Sequence, residues 1–357
     1  IVMELKVMVF LWFIMLVTGQ YTEDNNIHID LNPTPSIIRS SNPFSIYWNV
    51  PTFMCRQHGL DFSSVVPTFG ITQNTKDDFK GSKITILYDP GAFPELDPLR
   101  NGGLPQAGNL SLHLKTFSDS VKKLIPDENF KGLGVIDFES WRPIFRQNFG
   151  SFTPYKEAAI EYEKKLHPFL PDRFIKELAI RSFERHGQTF MEKTLDLAQS
   201  MRPNATWGYY AYPYCFNMNG NNKLPDCPKE VLPENDRMKW LFSSSDALFP
   251  SAYLPENKLT VDNRRSLVRG RVREAIRVRN NNTPVFVYLR THYIDTKHLL
   301  SKVDLTNAFH EMKKNGGRGA VLWGSSSDLN TYEKCKEFYE YTTKTLGPIA
   351  NAFIQQT

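Results

Sequence analysis

The sequence predicts an α/β fold in which the strands run parallel. Short apolar runs of strand length alternate with segments of helical periodicity over roughly 300 residues. The 357 residues are 41% hydrophobic, which supplies enough core for one large domain or two smaller ones. Polar and aromatic residues recur where the predicted strands end, so we expect the functional groups to gather at that edge of the sheet.

The predicted strands are apolar or alternating runs that turn residues terminate. Pro51 closes the first of them, and the turn Asp89-Pro90-Gly91 stops the third. The run from Leu133 to Ile136 is continuously apolar, as is typical of a strand buried on both faces. The predicted strands are 45–50, 65–71, 83–88, 133–136, 207–211, 247–253, 284–289 and 319–323.

The predicted helices carry apolar residues three and four positions apart. Pro126 and Pro203 lie just past two of them, and Asp304 is the expected N-cap of a helix that Gly316-Gly317 closes. The basic helix 264–279 is expected to be a solvated outer face, with a binding stripe as the alternative. The predicted helices are 112–124, 155–167, 172–201, 264–279, 305–314 and 331–346.

Two carboxylates follow the apolar run 133–136. Asp137 and Glu139 point the same way on an extended chain, roughly 7 Å apart, because side chains alternate faces along a strand. Crowding disfavours two charges, so one pKa should rise and leave a proton donor beside an anion. That pair is what acetal cleavage requires. The alternative is a structural pair of acids held by Arg142 and Arg146.

Aromatic and acidic side chains lie at or just past the ends of several other strands. In a (β/α) barrel these ends converge on one mouth, and ring faces there suit sugar rings. A single ring at such a position more often belongs to the core, but the position that these rings share with two acids favours a sugar cleft. The residues concerned are Tyr88, Asp89, Tyr210, Tyr212, Tyr253, Tyr293 and Trp323.

The first residues have the pattern of a secretory signal peptide. Lys6 precedes an apolar run, Val7 to Val17, which is too short to span a bilayer and is followed by Thr18-Gly19. We therefore expect residues 1–19 to be removed and the protein to be secreted, without membrane insertion.

Four cysteines fit an oxidising compartment. Three pairings are possible, and the local pair Cys215–Cys227 is favoured, which leaves Cys55–Cys335. A metal site is the rival interpretation, but there is no C-x-x-C spacing and the eight histidines form no ligand pattern.

Sequons begin at Asn109, Asn204 and Asn281 and make these residues candidate glycosylation sites. The formal net charge of +5 weakly favours an acidic partner. No serine-hydrolase, zinc-protease, Walker or dinucleotide motif occurs, so we expect neither a metal nor a cofactor and no nucleic-acid partner.

Six segments, in order, resemble the hyaluronidases of glycoside hydrolase family 56. They are G-V-I-D-F-E-S-W-R-P-I-F-R-Q-N (134–148), W-G-Y-Y-A-Y-P-Y-C (207–215), Y-W-N-V-P-T-F-M-C (47–55), Y-D-P-G (88–91), E-N-D-R-M-K-W-L-F (234–242) and L-W-G-S-S-S-D (322–328). The similarity covers about 44–350, as a catalytic domain between an N-terminal extension, 20–43, and a tail, 351–357. The absence of a Cys-rich tail makes the insect venom or salivary type the nearest match.

The resemblance implies a distorted (β/α) TIM-like barrel with about seven to eight parallel strands. It also implies the disulfides Cys55–Cys335 and Cys215–Cys227. The implied activity is endo-hydrolysis of the β-1,4 bonds of hyaluronan, and chondroitin is a further candidate substrate. We expect the enzyme to be a monomer. The bond cleaved joins N-acetylglucosamine to glucuronate, and its configuration is retained because the substrate's acetamido oxygen is the nucleophile.

Site roles follow from the resemblance by position. Glu139 would be the general acid and then base, while Asp137 would orient the acetamide. Tyr210, Tyr253 and Trp323 would wall the acetamido pocket. The implied groove residues are Tyr88, Asp89, Arg142, Arg271, Tyr293 and Ser325.

The chain departs from the family pattern at two places. Ser140 stands where venom members usually have Arg, and Leu289 to His292 replaces an aromatic-rich run. A hyaluronan-binding homologue with impaired catalysis is therefore the alternative, and a chitinase-like glycosidase is a third hypothesis.

Overall fold

The computed structural model describes residues 43–220 and 222–356, which belong to one compact unit. The predicted signal peptide, 1–19, and nearly all of the predicted N-terminal extension, 20–43, lie outside the described residues. No helix within the described residues has the length and apolar character needed to cross a membrane.

The described strands run parallel in two sheets, as the sequence predicts for an α/β fold. The first sheet has the order β1-β8-β7 and the second the order β2-β5-β6, while β3 and β4 form a small antiparallel ladder. The strands are β1 (Ser45–Asn49), β2 (Ile84–Tyr88), β3 (Glu95–Leu96), β4 (Leu99–Arg100), β5 (Leu133–Asp137), β6 (Thr206–Tyr209), β7 (Phe286–Arg290) and β8 (Gly319–Trp323).

Two predicted strands differ in the structure, each at a proline. Residues 65–71 contain a short helix, α1 (Val65–Thr68), because Pro67 suits a helical turn and Gly70, at φ 75°, ends it. Residues 247–253 are extended but make only isolated bridges, with Phe249 beside Tyr210. Pro250 lacks the N–H that a continuous ladder needs.

Helices cover the connections between the strands. Ser301, not the predicted Asp304, caps α8: its side chain accepts a hydrogen bond from the Asp304 N–H. The sequence did not predict α5, α6 or α10, and α10 spans the expected domain boundary at residue 350. The helices after α1 are α2 (Leu110–Leu124), α3 (Thr153–Leu166), α4 (Asp172–Met201), α5 (Val231–Arg237), α6 (Lys239–Ser244), α7 (Val261–Val278), α8 (Lys302–Lys314), α9 (Tyr332–Tyr341) and α10 (Gly347–Gln355).

Strand β5 is buried along its whole length, and this burial fixes where its last side chain lies. Gly134 packs against the Trp207 indole so closely that a Cβ would lie 2.5 Å from the ring. In parallel register, Tyr88 at the end of β2 pairs with Asp137 at the end of β5. The core of the sheet therefore delivers these two side chains together to its carboxyl edge.

Both predicted disulfides are confirmed. Cys55–Cys335 joins the segment after β1 to α9 across 280 residues, and Cys215–Cys227 closes a loop of 12 residues after β6. Both bonds thus tie down chain that emerges near the carboxyl ends of β1 and β6.

Much of the basic charge of α7 is neutralised within the fold. Arg264 pairs with Asp304, Arg265 with Glu311, and Arg277 with Glu274 and Asp236. The pairs with Asp304, Glu311 and Asp236 hold α7 to its neighbours, and together with the pair inside the helix they leave less free charge for a binding stripe than the sequence suggests.

Candidate active site

Asp137 and Glu139 form an unequal pair of carboxyls at the end of β5. The Asp137 side chain is buried, with 8% of its surface exposed and Oδ1 without a hydrogen-bond partner, whereas Glu139 is exposed. Burial, helped by the charges of Glu139 and Asp89, raises the pKa of Asp137 to about 8. Desolvation also raises the pKa of Glu139, against the opposing effect of Arg142. The pair therefore holds a proton at neutral pH.

Asp89 lies beside this pair in a constrained turn. Its backbone has φ 41°, in the left-handed region, and its N–H donates to the Asp137 carbonyl at 2.7 Å. Arg100 forms an ion pair with Asp89 at 2.5 Å and another with Glu95 at 2.9 Å. Asp89 is thus held by its strand-end position and by one guanidinium.

Ser140, one of the two departures from the family pattern, joins the same network. Its hydroxyl donates to Glu95 Oε1 at 2.9 Å. Since Arg100 bridges Glu95 and Asp89, the side chain of Ser140 is linked to the wall beside the acid pair.

An aromatic wall faces the carboxyls. Trp323 Nε1 donates to the Tyr88 hydroxyl at 2.7 Å, which connects the end of β8 to the end of β2. Tyr253 stacks on Trp323 with ring centroids 5.8 Å apart, and Tyr210 lies 6.2 Å from Tyr253. Burial raises the pKa values of the Tyr210 and Tyr253 hydroxyls, so both remain neutral. The sequence predicted that these four side chains meet, and they do.

The sequence interpretation missed the groups that support Trp323. The Arg290 guanidinium lies 5.3 Å from the indole centroid, and Asp328 holds it through two hydrogen bonds of 2.9 Å. Asp328 also accepts from the Ser325 N–H at 3.0 Å. Arg290 is the last residue of β7 and lies in the second departure, Leu289 to His292, so a search for polar residues at the ends of the predicted strands would have found it.

The two predicted groove arginines are engaged within the protein. Arg142 lies against the rings of Phe152 and Tyr214, at 4.6 and 4.5 Å from their centroids, and its Nη1 donates to the Gln147 carbonyl. Arg271 donates to the Ser251 carbonyl at 2.7 Å, and burial lowers its pKa to about 10. Both guanidiniums thus already have partners within the protein.

Tyr293 is not brought to the cluster. Only 2% of its surface is exposed, and its hydroxyl donates to Asp304 and accepts from the Ser301 N–H. Tyr293 therefore follows the end of a strand as predicted, but its side chain points into the core and not into the groove.

The candidate glycosylation sites Asn109, Asn204 and Asn281 are all exposed. Asn109 also caps α2, where its side-chain oxygen accepts from the Leu112 N–H. Attachment of a glycan at the side-chain nitrogen would leave this cap intact. Exposure is compatible with glycosylation at all three positions, which stays a prediction.

Two cavities meet at Tyr88. The first, of about 590 Å³, contains Asp137 and Glu139 and extends past Asp89 to Tyr155. The second, of about 580 Å³, extends over Trp323. Each is large enough to hold sugar rings, and the side chain that separates them carries the hydrogen bond from Trp323. The arrangement can hold a chain across Tyr88 and present a proton donor to a bond there.

The comparisons place this chain among proteins of one kind. A family model described as Hyaluronidase matches residues 33–356. Hyaluronidase B of Vespa velutina is 49% identical over 323 residues, which are 87% of this chain and 97% of that protein. The hyaluronidase of Dolichovespula maculata is 48% identical over 322 residues, again 87% and 97%. A crystal structure of bee venom hyaluronidase in complex with hyaluronic acid tetramer superposes with a TM-score of 0.84 and 47% identity, covering 87% and 99% of the two chains.

We expect Asp137→Asn to raise the unfolding temperature. A carboxyl whose pKa is raised from 3.8 to about 8 stabilises the fold below pH 3.8, and this contribution is lost as pH rises through the folded value. An amide does not titrate, so the advantage of the variant should grow between pH 4 and pH 8 in calorimetric scans.

Asp119→Asn is the control, since Asp119 is an exposed carboxylate on α2. It should leave the unfolding temperature unchanged at both pH values. An Asp137→Asn protein that is less stable than the wild type at pH 8 would contradict the costly burial of this carboxyl.

Proposed function

The chain belongs to the hyaluronidase family, and from this membership we propose that it is an endo-acting glycosidase that hydrolyses the β-1,4 bonds of hyaluronan. The observation that carries the proposal is the pair Asp137 and Glu139, held beside Tyr88 at the junction of two cavities. Support comes also from the bee venom relative, whose crystal structure contains a hyaluronic acid tetramer.

Glu139 is the proton donor in this mechanism. It is the exposed member of the pair, so it can reach the oxygen of the bond to be cleaved, and its raised pKa keeps the proton available. Once the leaving sugar departs, the same carboxylate takes a proton from the attacking water.

Asp137 acts on the acetamido group of the substrate. Its buried Oδ1 has no partner in the protein, and a carboxyl oxygen can accept a hydrogen bond from the substrate N–H in either protonation state of the group. Held in this way, the acetamido oxygen attacks the anomeric carbon, and the cyclic intermediate is opened by water with net retention of configuration. This replaces the nucleophilic carboxylate of the usual retaining scheme.

The aromatic wall forms the pocket for that acetamido sugar. Tyr210 and Tyr253 offer neutral hydroxyls, and Trp323 offers an apolar face beside them. Tyr88, Asp89 and Ser325 line the cavities on either side and would contact neighbouring sugars.

The proposal extends to the architecture. We propose that the two sheets form one distorted (β/α) barrel of seven to eight strands. Isolated bridges support closure on one side, where Phe249 pairs with Tyr210 and Ser251 with Tyr288. On the other side, Thr72 pairs with Tyr47, and the Asn74 amide bonds the backbone of Ile84.

Secretion of a monomer is part of the same proposal. The signal-peptide pattern of residues 1–19 supports secretion, and so do two disulfides, which persist in oxidising compartments, while the monomeric state rests on the resemblance alone.

We expect Glu139→Gln to lower kcat on purified hyaluronan by about 10²–10⁴-fold, the usual contribution of a positioned general acid. Binding of hyaluronan oligosaccharides should change little, because the amide keeps the shape of the carboxyl. Reducing-end release measures the loss, and Glu128→Gln, an exposed glutamate ahead of β5, is the control. Near wild-type turnover by the Glu139 variant would reject the assignment. Release from chitin oligomers and none from hyaluronan would instead indicate a chitinase-like enzyme.

The pH profile should respond to Arg142. This guanidinium lowers the pKa of Glu139, so Arg142→Gln should raise that pKa and move the alkaline limb of kcat/KM to higher pH. Arg142→Lys keeps a cation and should shift the limb less. An unmoved limb, or one displaced to lower pH, would show that Glu139 does not set it.

A further inference from the structure

The two cavities that meet at Tyr88 differ in charge. Five carboxyl side chains line the first cavity, without a lysine or arginine: Asp89, Glu95, Asp97, Asp137 and Glu139. The second cavity is lined by one lysine, Lys80, and one carboxylate, Asp78, among aromatic, apolar and serine side chains. Arg100 compensates Asp89 and Glu95, and the acid pair retains a proton, so the lining of the first cavity offers an anionic sugar no free cation, whereas the lining of the second offers Lys80.

Lys80 is placed to meet such a sugar. Its ammonium lies 5.8 Å from the centroid of the Tyr88 ring. The Tyr88 ring stacks on Phe79, the residue that precedes Lys80 in the sequence. The side chain is half-buried, and within residues 43–220 and 222–356 it has neither an ion pair nor a hydrogen bond to a protein group. Burial and the charge of Lys123 lower its pKa, as happens to an ammonium without a counter-ion.

The other cations near the cleft are already occupied. Arg100 pairs with Asp89 and Glu95, Arg290 pairs with Asp328, and Arg142 packs among rings. Among the described residues, Lys80 is therefore the lysine or arginine that lines one of the two cavities and has no ion-pair partner.

We propose that Lys80 binds a glucuronate carboxylate on the Trp323 side of Tyr88 and so sets the register of the sugar chain. The inference rests on the proposed function, because hyaluronan carries one carboxylate on every second sugar. With a carboxylate at Lys80, neutral acetamido sugars take the alternate positions along the chain. A shift by one sugar removes the anion from Lys80 and puts a glucuronate, in place of the acetamido sugar, beside Asp137, so the loss of the ion pair with Lys80 disfavours the shifted register.

The test compares hyaluronan with carboxyl-reduced hyaluronan, in which each carboxylate has become an alcohol. Lys80→Gln should raise KM for hyaluronan about tenfold, corresponding to about 1.4 kcal/mol, with kcat changed less than about twofold. KM for the reduced polymer should be the same in the variant and the wild type. Lys80→Arg should retain most of the affinity for hyaluronan, and Lys83→Gln, which removes an exposed charge outside both cavities, should behave as wild type.

Binding separates this inference from the proposed function. Hyaluronan octasaccharide is titrated calorimetrically into Glu139→Gln protein with and without the Lys80→Gln change. A weaker Kd in the double variant supports Lys80 even if the wild type releases no reducing ends, a result that would reject only the function. Equal affinities, or equal losses on hyaluronan and its reduced form, would overturn the role of Lys80.

Discussion

The burial of one carboxyl at the end of β5 is the constraint on which the site depends. Because β5 is covered along its length, Asp137 leaves the sheet with little access to water and without a partner for Oδ1. Because a charge at this buried position is unfavourable, the pKa of Asp137 is raised and its carboxyl stays protonated at neutral pH. Glu139, two residues further along the chain, interacts electrostatically with Asp137 but is exposed to solvent. One strand end therefore supplies a buried carboxyl and an accessible one.

A hydrogen bond between the two sheets passes through the site. The donor, Trp323, ends β8 in one sheet, and the acceptor, Tyr88, ends β2 in the other. Arg290 and Asp328 brace Trp323 from behind, while the register of β2 with β5 sets Tyr88 beside Asp137. The relative position of the two sheets therefore decides the distance between aromatic wall and acids. Tyr88, the acceptor of this bond, lines both the cavity of the acid pair and the cavity that Lys80 lines.

The polar and aromatic residues at the ends of the predicted strands predicted much of this site from the sequence. This pattern brought Asp137, Glu139, Tyr88 and Trp323 to one edge, because parallel strands share a carboxyl end whatever their order. The strand predicted at 65–71 was wrong, because a proline there favours a helix, and the sequence pattern did not show that the Tyr293 side chain turns inward to Asp304. Lys80 gave no signal, since it lies in a loop ahead of β2 that only tertiary packing returns to Tyr88.

The ionisation of the acid pair can be measured directly by NMR titration of protein with ¹³C-labelled aspartate and glutamate carboxyls. Spectra of Asp137→Asn and Glu139→Gln proteins assign the two signals. We expect the signal lost in the Asp137 variant to titrate at about pH 8 and the Glu139 signal to titrate above its ordinary pKa. Two carboxyls that both titrate in the ordinary range of about 3 to 5 would contradict this expectation, because no proton would then remain on the pair at neutral pH.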